Sequence, residues 1–100
     1  MNFVKAGLAE MKDGEIKNFK LNRKEILISK INGEYYAVDN ECTHMGCSLS
    51  EGTVKGNKIE CPCHGSVFDL KTGKVIRGPA NKPATVFDIK VYKGKLMVNL

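Results

Sequence analysis

Apolar residues along this chain come in short alternating runs broken by turn residues, a pattern with the two-residue period of β-strands. Nothing in it sustains the three-to-four spacing of a long amphipathic helix. The clearest unit is Glu25–Ile31, then Asn32-Gly33, then Glu34–Asp39: Asn-Gly supplies the two positive φ values of a tight hairpin turn, and branched and aromatic residues flank it. A second pair closes the chain. Ala84–Tyr92 alternates Thr85, Phe87, Ile89 and Val91 against Val86, Asp88, Lys90 and Tyr92, and Lys93-Gly94 turns it into Lys95–Leu100, so that one face of each strand is buried and the other wet. Near the start, Met11–Gly14 reads as a turn between a strand at Phe3–Ala6 and another at Glu15–Leu21.

Between the two strong hairpins, Glu41–Pro79 is denser in Gly, Cys and Pro and reads as an insertion. Two short strand pairs are expected in it, Thr53–Lys55 with Lys58–Glu60 across Gly56-Asn57, and Val67–Asp69 with Lys74–Ile76 across Thr72-Gly73. The pattern therefore predicts an all-β fold, a small antiparallel sandwich or barrel of one domain over residues 1–100, with an inserted subdomain at about 41–79. A chain of 100 residues fits one core and not two. No repeat, low-complexity tract or interdomain linker interrupts it.

Composition narrows the function classes. Apolar residues make up 42%, and no run approaches the roughly 18 needed to span a bilayer. The start has one Lys and no apolar stretch of the secretory type, so a cytoplasmic protein is expected. The net charge of +5 comes from fourteen Lys spread from Lys5 to Lys95 and two Arg, Arg23 and Arg77. Along the sequence these show neither the clustering nor the interleaved aromatics of a nucleic-acid binder; the spread suits a solvated basic surface or docking onto acidic protein partners.

The chemistry is concentrated. All four Cys and both His fall between Cys42 and His64, as Cys42-Thr43-His44-Met45-Gly46-Cys47 and Cys61-Pro62-Cys63-His64-Gly65-Ser66. Thiolate and imidazole suit zinc or iron–sulfur chemistry, and the lack of a carboxylate cluster argues against Mg or Ca. Zinc fingers pair Cys with Cys and His with His, whereas each loop here mixes the two.

The arrangement Cys-x-His, sixteen residues, Cys-x-x-His resembles the ligand loops of Rieske iron–sulfur proteins. The resemblance extends to Gly65 after the second His and to Gly78-Pro79, which is similar to the proline loop that covers the cluster in that family. It implies one [2Fe–2S] cluster, with Cys42 and Cys61 on one iron and His44 and His64 on the other, in an all-β fold with an inserted cluster-binding subdomain. Two thiolates against two ferric ions and two sulfides leave the oxidised centre neutral, whereas four thiolates leave two negative charges. The neutral centre accepts an electron more readily, with potentials of about −150 to +300 mV against roughly −400 mV for plant-type clusters.

The wording of both loops is that of the cytochrome bc and b6f branch, which implies a disulfide between Cys47 and Cys63; two buried free thiols are the alternative. An intracellular disulfide is unusual outside hyperthermophiles, so this implication and the cytoplasmic expectation pull against each other. By the same resemblance Ser66 donates its hydroxyl to a bridging sulfide, while Phe68 stands where high-potential members carry a hydrogen-bonding Tyr. An intermediate-to-high potential is expected, below the respiratory members and above the oxygenase ferredoxins. Met45 and Pro79, with Leu49, are candidates for an apolar cover over the cluster, Met45 and Leu49 serving equally well as packing. The implied function is a one-electron carrier without a substrate site, which docks transiently by its ligand-loop tip on reductase and oxidase or oxygenase partners. Its alternatives are a detached ferredoxin of an oxygenase system, a respiratory-complex subunit, or a zinc-stabilised interaction module. With no spare His for a mononuclear iron, the chain cannot be a whole ring-hydroxylating oxygenase.

Overall fold

The computed structural model describes residues 3–43 and 46–100. Eleven strands and one short 3-10 turn build it: β1 Phe3–Leu8, β2 Ile16–Leu21, β3 Lys24–Ile31, β4 Glu34–Asp39, the turn Leu49–Glu51, β5 Thr53–Lys55, β6 Lys58–Glu60, β7 Val67–Asp69, β8 Val75–Arg77, β9 Val86–Phe87, β10 Ile89–Tyr92 and β11 Lys95–Asn99. They pair antiparallel in three sheets, ordered β1-β11-β10, β2-β3-β4-β9 and β5-β6-β7-β8. The expected all-β antiparallel class is the one observed. The third sheet lies in sequence wholly between β4 and β9, the strands that close the second.

β3 explains the architecture. Its residues from Ile26 to Ser29 are completely buried, because the strand has a core on each face. Ile26 and Ile28 join Met11, Leu21, Ala37, Leu96 and Val98 on one side, and Leu27 and Ile31 join Val38, Leu49, Ile59, Phe68, Leu70, Cys42 and Cys61 on the other. The pleat sends alternate side chains in opposite directions, so the buried Ile26–Ser29 stretch of one strand faces both cores and ties the first sheet to the third.

Hairpin chemistry holds the register. Asn32-Gly33 has φ of 51° and 83°, Lys93-Gly94 has 51° and 74°, and the β2–β3 turn repeats the pattern with Asn22 at 48° and Arg23 at 68°. Positive φ at both central residues matches the strand twist. The third case escaped the sequence reading, since Arg is an uncommon residue there.

Two expectations need correction. Ala84–Tyr92 is not one strand: it breaks at Asp88, β9 pairing with β4 and β10 with β11, so the chain changes sheets there. Met11–Gly14 does link the two expected strands through a turn, but these strands do not pair with each other. β1 pairs with β11 instead, and the connection crosses over the core, where Met11 is 3% exposed and the Gly14 N–H donates to the Lys30 carbonyl at 2.7 Å. The last short strand is Val75–Arg77 rather than Lys74–Ile76, because a register shift between Val67 and Phe68 moves the pairing by one residue.

Candidate metal centre

The two loops are the same backbone motif used twice. In the first, the Cys42 N–H donates to the Cys47 carbonyl at 2.8 Å and the Gly46 N–H donates to the Cys42 carbonyl at 2.8 Å. In the second, the Cys61 N–H donates to the Ser66 carbonyl at 2.7 Å and the Gly65 N–H to the Cys61 carbonyl at 3.2 Å. Each ring therefore closes four and five residues after its Cys, through a glycine in the left-handed region, Gly46 at φ 75° and Gly65 at 77°. The recurrence of Cys-x-x-x-Gly was visible in the sequence and was not read as a repeated turn.

Each loop is anchored at its base. Asn40, 1% exposed at the end of β4, donates its N–H to the Glu25 carbonyl at 2.9 Å, accepts the Leu49 N–H on its own carbonyl at 2.7 Å, and accepts the Ser50 N–H on its side-chain oxygen at 2.7 Å. The second loop joins β6 to β7, whose Ile59 and Phe68 are paired and buried. A third segment closes over both. Ala80 donates its N–H to Ser66 Oγ at 3.0 Å, the Arg77 guanidinium donates to the Gly65 carbonyl at 3.3 Å, and the Thr43 hydroxyl donates to the Lys82 carbonyl at 2.7 Å. Arg77 also lies 3.5 Å from Glu60, an exposed pair that adds little by itself. Between these contacts runs the cis Gly78–Pro79 peptide. Asn40, Thr43, Arg77, Ala80 and Lys82 were missed by the sequence reading. Only Asn40, a polar residue ending an apolar strand two positions before a candidate ligand, offered a signal.

The loops bring the cysteines together in two different states. Cys42 and Cys61 are free thiols, each 2% exposed. Cys47 and Cys63 are joined by a disulfide with Cα atoms 6.5 Å apart, and the sulfurs of Cys47, Cys61 and Cys63 lie within 4.8 Å of one another. Burial pushes the Cys61 thiol up, the adjoining Cys42 thiol adds to this, and the backbone N–H groups of Cys63 and His64, hydrogen-bonded to it, pull it down. The two amides offset part of this cost of forming a thiolate, the form in which Cys binds metal, while burial keeps the thiol protonated in the metal-free fold.

Residues 2–93 match the profile of the Rieske [2Fe-2S] domain. The chain belongs to that family. Among known Rieske proteins it is similar to the ferredoxin component of the naphthalene 1,2-dioxygenase/salicylate 5-hydroxylase systems of a Ralstonia species, 35% identical over 99% of this chain and 96% of the relative. A solved complex of reduced oxygenase and oxidised ferredoxin in carbazole 1,9a-dioxygenase contains a chain that superimposes with a TM-score of 0.90 at 34% identity, covering 96% of this chain and all of the other. The Sphingomonas yanoikuyae B1 ferredoxin superimposes at 0.92 with 28% identity, 99% of each chain being covered.

The residues singled out by the Rieske signature fall as follows. Cys42 and Cys61 meet, His64 is exposed at the tip of the second loop, Ser66 is 1% exposed and Phe68 is buried in the core that holds both thiols. Leu49 is completely buried in that same core. Pro79 is exposed beside the loops, and His44 and Met45 lie outside the described residues. A pair of buried, touching thiols with amide donors to sulfur, and an exposed imidazole three residues after Cys61, fits the donor set of a Rieske cluster. Among the described residues, no helix is long and apolar enough to cross a membrane.

Proposed function

We propose that this chain is a one-electron carrier of the ferredoxin type that serves a multicomponent oxygenase. The observation that carries the reading is the meeting of the buried Cys42 and Cys61 thiols at the head of two loops clasped by the Cys47–Cys63 disulfide. Similarity over nearly the whole chain to ferredoxin components of dioxygenase systems supports the partner class. In this reading Cys42 and Cys61 hold one iron of a [2Fe–2S] cluster, His44 and His64 hold the other, and residues 41–79 act as the cluster-binding unit. The cluster, when bound, takes up and passes on one electron at a time.

The protein supplies the rest. The buried cysteines sit in an apolar core that excludes water from the sulfur side, the amides of Cys63 and His64 steady the Cys61 sulfur, and Ser66 fastens the second loop to the segment at Ala80. His64 stands at the exposed tip and marks the electron exit. Partners dock there through a small transient interface of under about 1,200 Å². The net charge of +5 favours acidic docking surfaces, and a cytoplasmic location fits the partners named.

Redox titration with EPR, followed by turnover with a dioxygenase and its reductase, tests the reading. A colourless protein holding stoichiometric zinc, or a chromophore untouched by His64→Ala, overturns it. One observation favours a second reading: Cys47 and Cys63 are disulfide-bonded, as the resemblance to the cytochrome bc branch implies. Efficient reduction by a quinol-oxidising membrane complex, with none by a flavin reductase, would decide for a respiratory role.

A further inference from the structure

The tertiary fold gathers lysines that the sequence leaves scattered. On the β1-β11-β10 sheet, register places Lys5 beside Met97 and Met97 beside Lys90, and in the next row Leu8 beside Lys95 and Lys95 beside Tyr92. Leu96 and Val98 point the other way into the core and are completely buried, so these two rows share the outer face. The bulge between Lys5 and Gly7 matters here: the extra residue reverses the alternation and turns Leu8 out to this face, where it is 54% exposed. Tyr92 is also 54% exposed. Lys90 lies 4.2 Å over the Phe3 ring and 5.9 Å from that of Tyr92, with Lys93 5.3 Å from Tyr92. Four lysines thus surround two exposed apolar side chains, and the acidic residues at the edges of the face are Asp88, just before β10, and Glu10, two residues past Leu8.

From this juxtaposition we infer that the outer face of the β1-β11-β10 sheet is an interfacial platform that seats the protein on an anionic lipid surface. Charge complementarity requires an anionic partner, and a second copy in symmetric contact would set lysine against lysine. Three strands about 4.8 Å apart and some five residues long at about 3.3 Å each present only roughly 240 Å². A stable protein interface needs about 800 Å² per partner. A bilayer makes no such demand, because its anionic headgroups attract each lysine independently while Leu8 and Tyr92 enter the interfacial zone. Nucleic-acid stacking needs free ring faces, and here ammonium groups stand over both rings. The face backs the core formed by Leu96 and Val98, whereas Cys42 and Cys61 belong to the other core, so bilayer contact leaves the ligand loops to partners.

The experiment is co-sedimentation of the cluster-loaded protein with vesicles of equal parts phosphatidylglycerol and phosphatidylcholine, and with phosphatidylcholine alone. Wild type is expected to sediment with the first and not the second. The triple variant Lys90→Gln, Lys93→Gln, Lys95→Gln is expected to lose roughly a hundredfold in partitioning, each lysine being worth about a factor of five. Leu8→Ser with Tyr92→Ser is expected to weaken binding with the charge unchanged. An equal-charge control, Lys17→Gln, Lys20→Gln, Lys24→Gln, removes exposed lysines from β2 and the start of β3 and is expected to bind as wild type. Visible absorption and melting temperature confirm that each variant is folded. Equal losses in both lysine triples mean bulk charge and overturn the inference. Capture of a single-stranded oligonucleotide or of an acidic protein through the same lysines, without vesicle binding, overturns it too.

Discussion

Ser66→Ala removes one oxygen and tests two roles at once. Ser66 is 1% exposed and Ala80 4%, and the Ala80 N–H donates to Ser66 Oγ at 3.0 Å. Without the oxygen that amide is buried and unsatisfied, which costs about 1–3 kcal/mol. For a domain of this size the loss lowers the melting temperature by about 4 °C for each kcal/mol at the least. The oxygen accepts from Ala80 and keeps its own proton, which on the proposed function would be available to a sulfide of the cluster. A donated bond worth about 1–2 kcal/mol to the more negative reduced state raises a one-electron potential by roughly 40–90 mV, and the alanine variant is expected to fall by that amount. Thermal melting followed at the visible absorption of the cluster reads the first effect, and redox titration reads the second. Ser66→Thr keeps the hydroxyl and is expected to hold the potential. A melting temperature unchanged in the alanine variant refutes the latch between the second loop and Ala80. A potential within about 20 mV of wild type refutes the hydroxyl donor.

The adjoining Phe68 gives the converse experiment: Phe68→Tyr places a donor in the core shared with Cys42 and Cys61 and is expected to raise the potential, and a titration showing no rise would dismiss the sulfur contact. Gly52→Ala and Gly73→Ala would bring a Cβ to 2.0 Å from the Glu60 carbonyl and 2.1 Å from that of Ala84, so each is expected to destabilise by several kcal/mol, roughly 2–4, in denaturant melts. Gly14→Ala meets no atom within 4 Å and should lose only about 1–2 kcal/mol through its φ of +85°; equal losses at all three sites would refute the contact argument. Because burial raises the Cys61 thiol, the metal-free fold favours the protonated form. Its contribution to stability is full below the ordinary thiol range and is lost as pH rises through that range toward the raised value. Denaturant melts of the metal-free protein against pH should therefore fall more steeply for wild type than for Cys61→Ser, and parallel curves would contradict the assignment. Reducing the Cys47–Cys63 bridge, which spans sixteen residues, is expected to lower stability by about 3 kcal/mol in the chain-entropy model; no change on reduction would show that the two loops are held by other contacts alone.

Local chemistry made part of this protein legible without any coordinates. Asn32-Gly33 and Lys93-Gly94 dictate tight turns because few other pairs tolerate two positive φ values, and the apolar runs beside them have the strand period. The candidate ligands were equally plain, since mixed Cys and His at those spacings suits few metal centres and every such side chain lies between Cys42 and His64. What could not be read depends on contacts between residues far apart in the chain. That Ala84–Tyr92 divides between two sheets, that β1 pairs with β11, and that β3 is buried on both faces are outcomes of packing, which overrides local alternation. The same holds for the contacts of Thr43 with Lys82 and Ser66 with Ala80: side chain and backbone meet across 39 and 14 residues, and no local spacing encodes such a meeting. Sequence determined which thiols and imidazoles the chain can offer to a metal and where the chain turns, because those are properties of single residues and their neighbours. The tertiary structure alone decided which backbone groups lock the loops and which lysines share a face, because these follow from how the sheets close on their two cores.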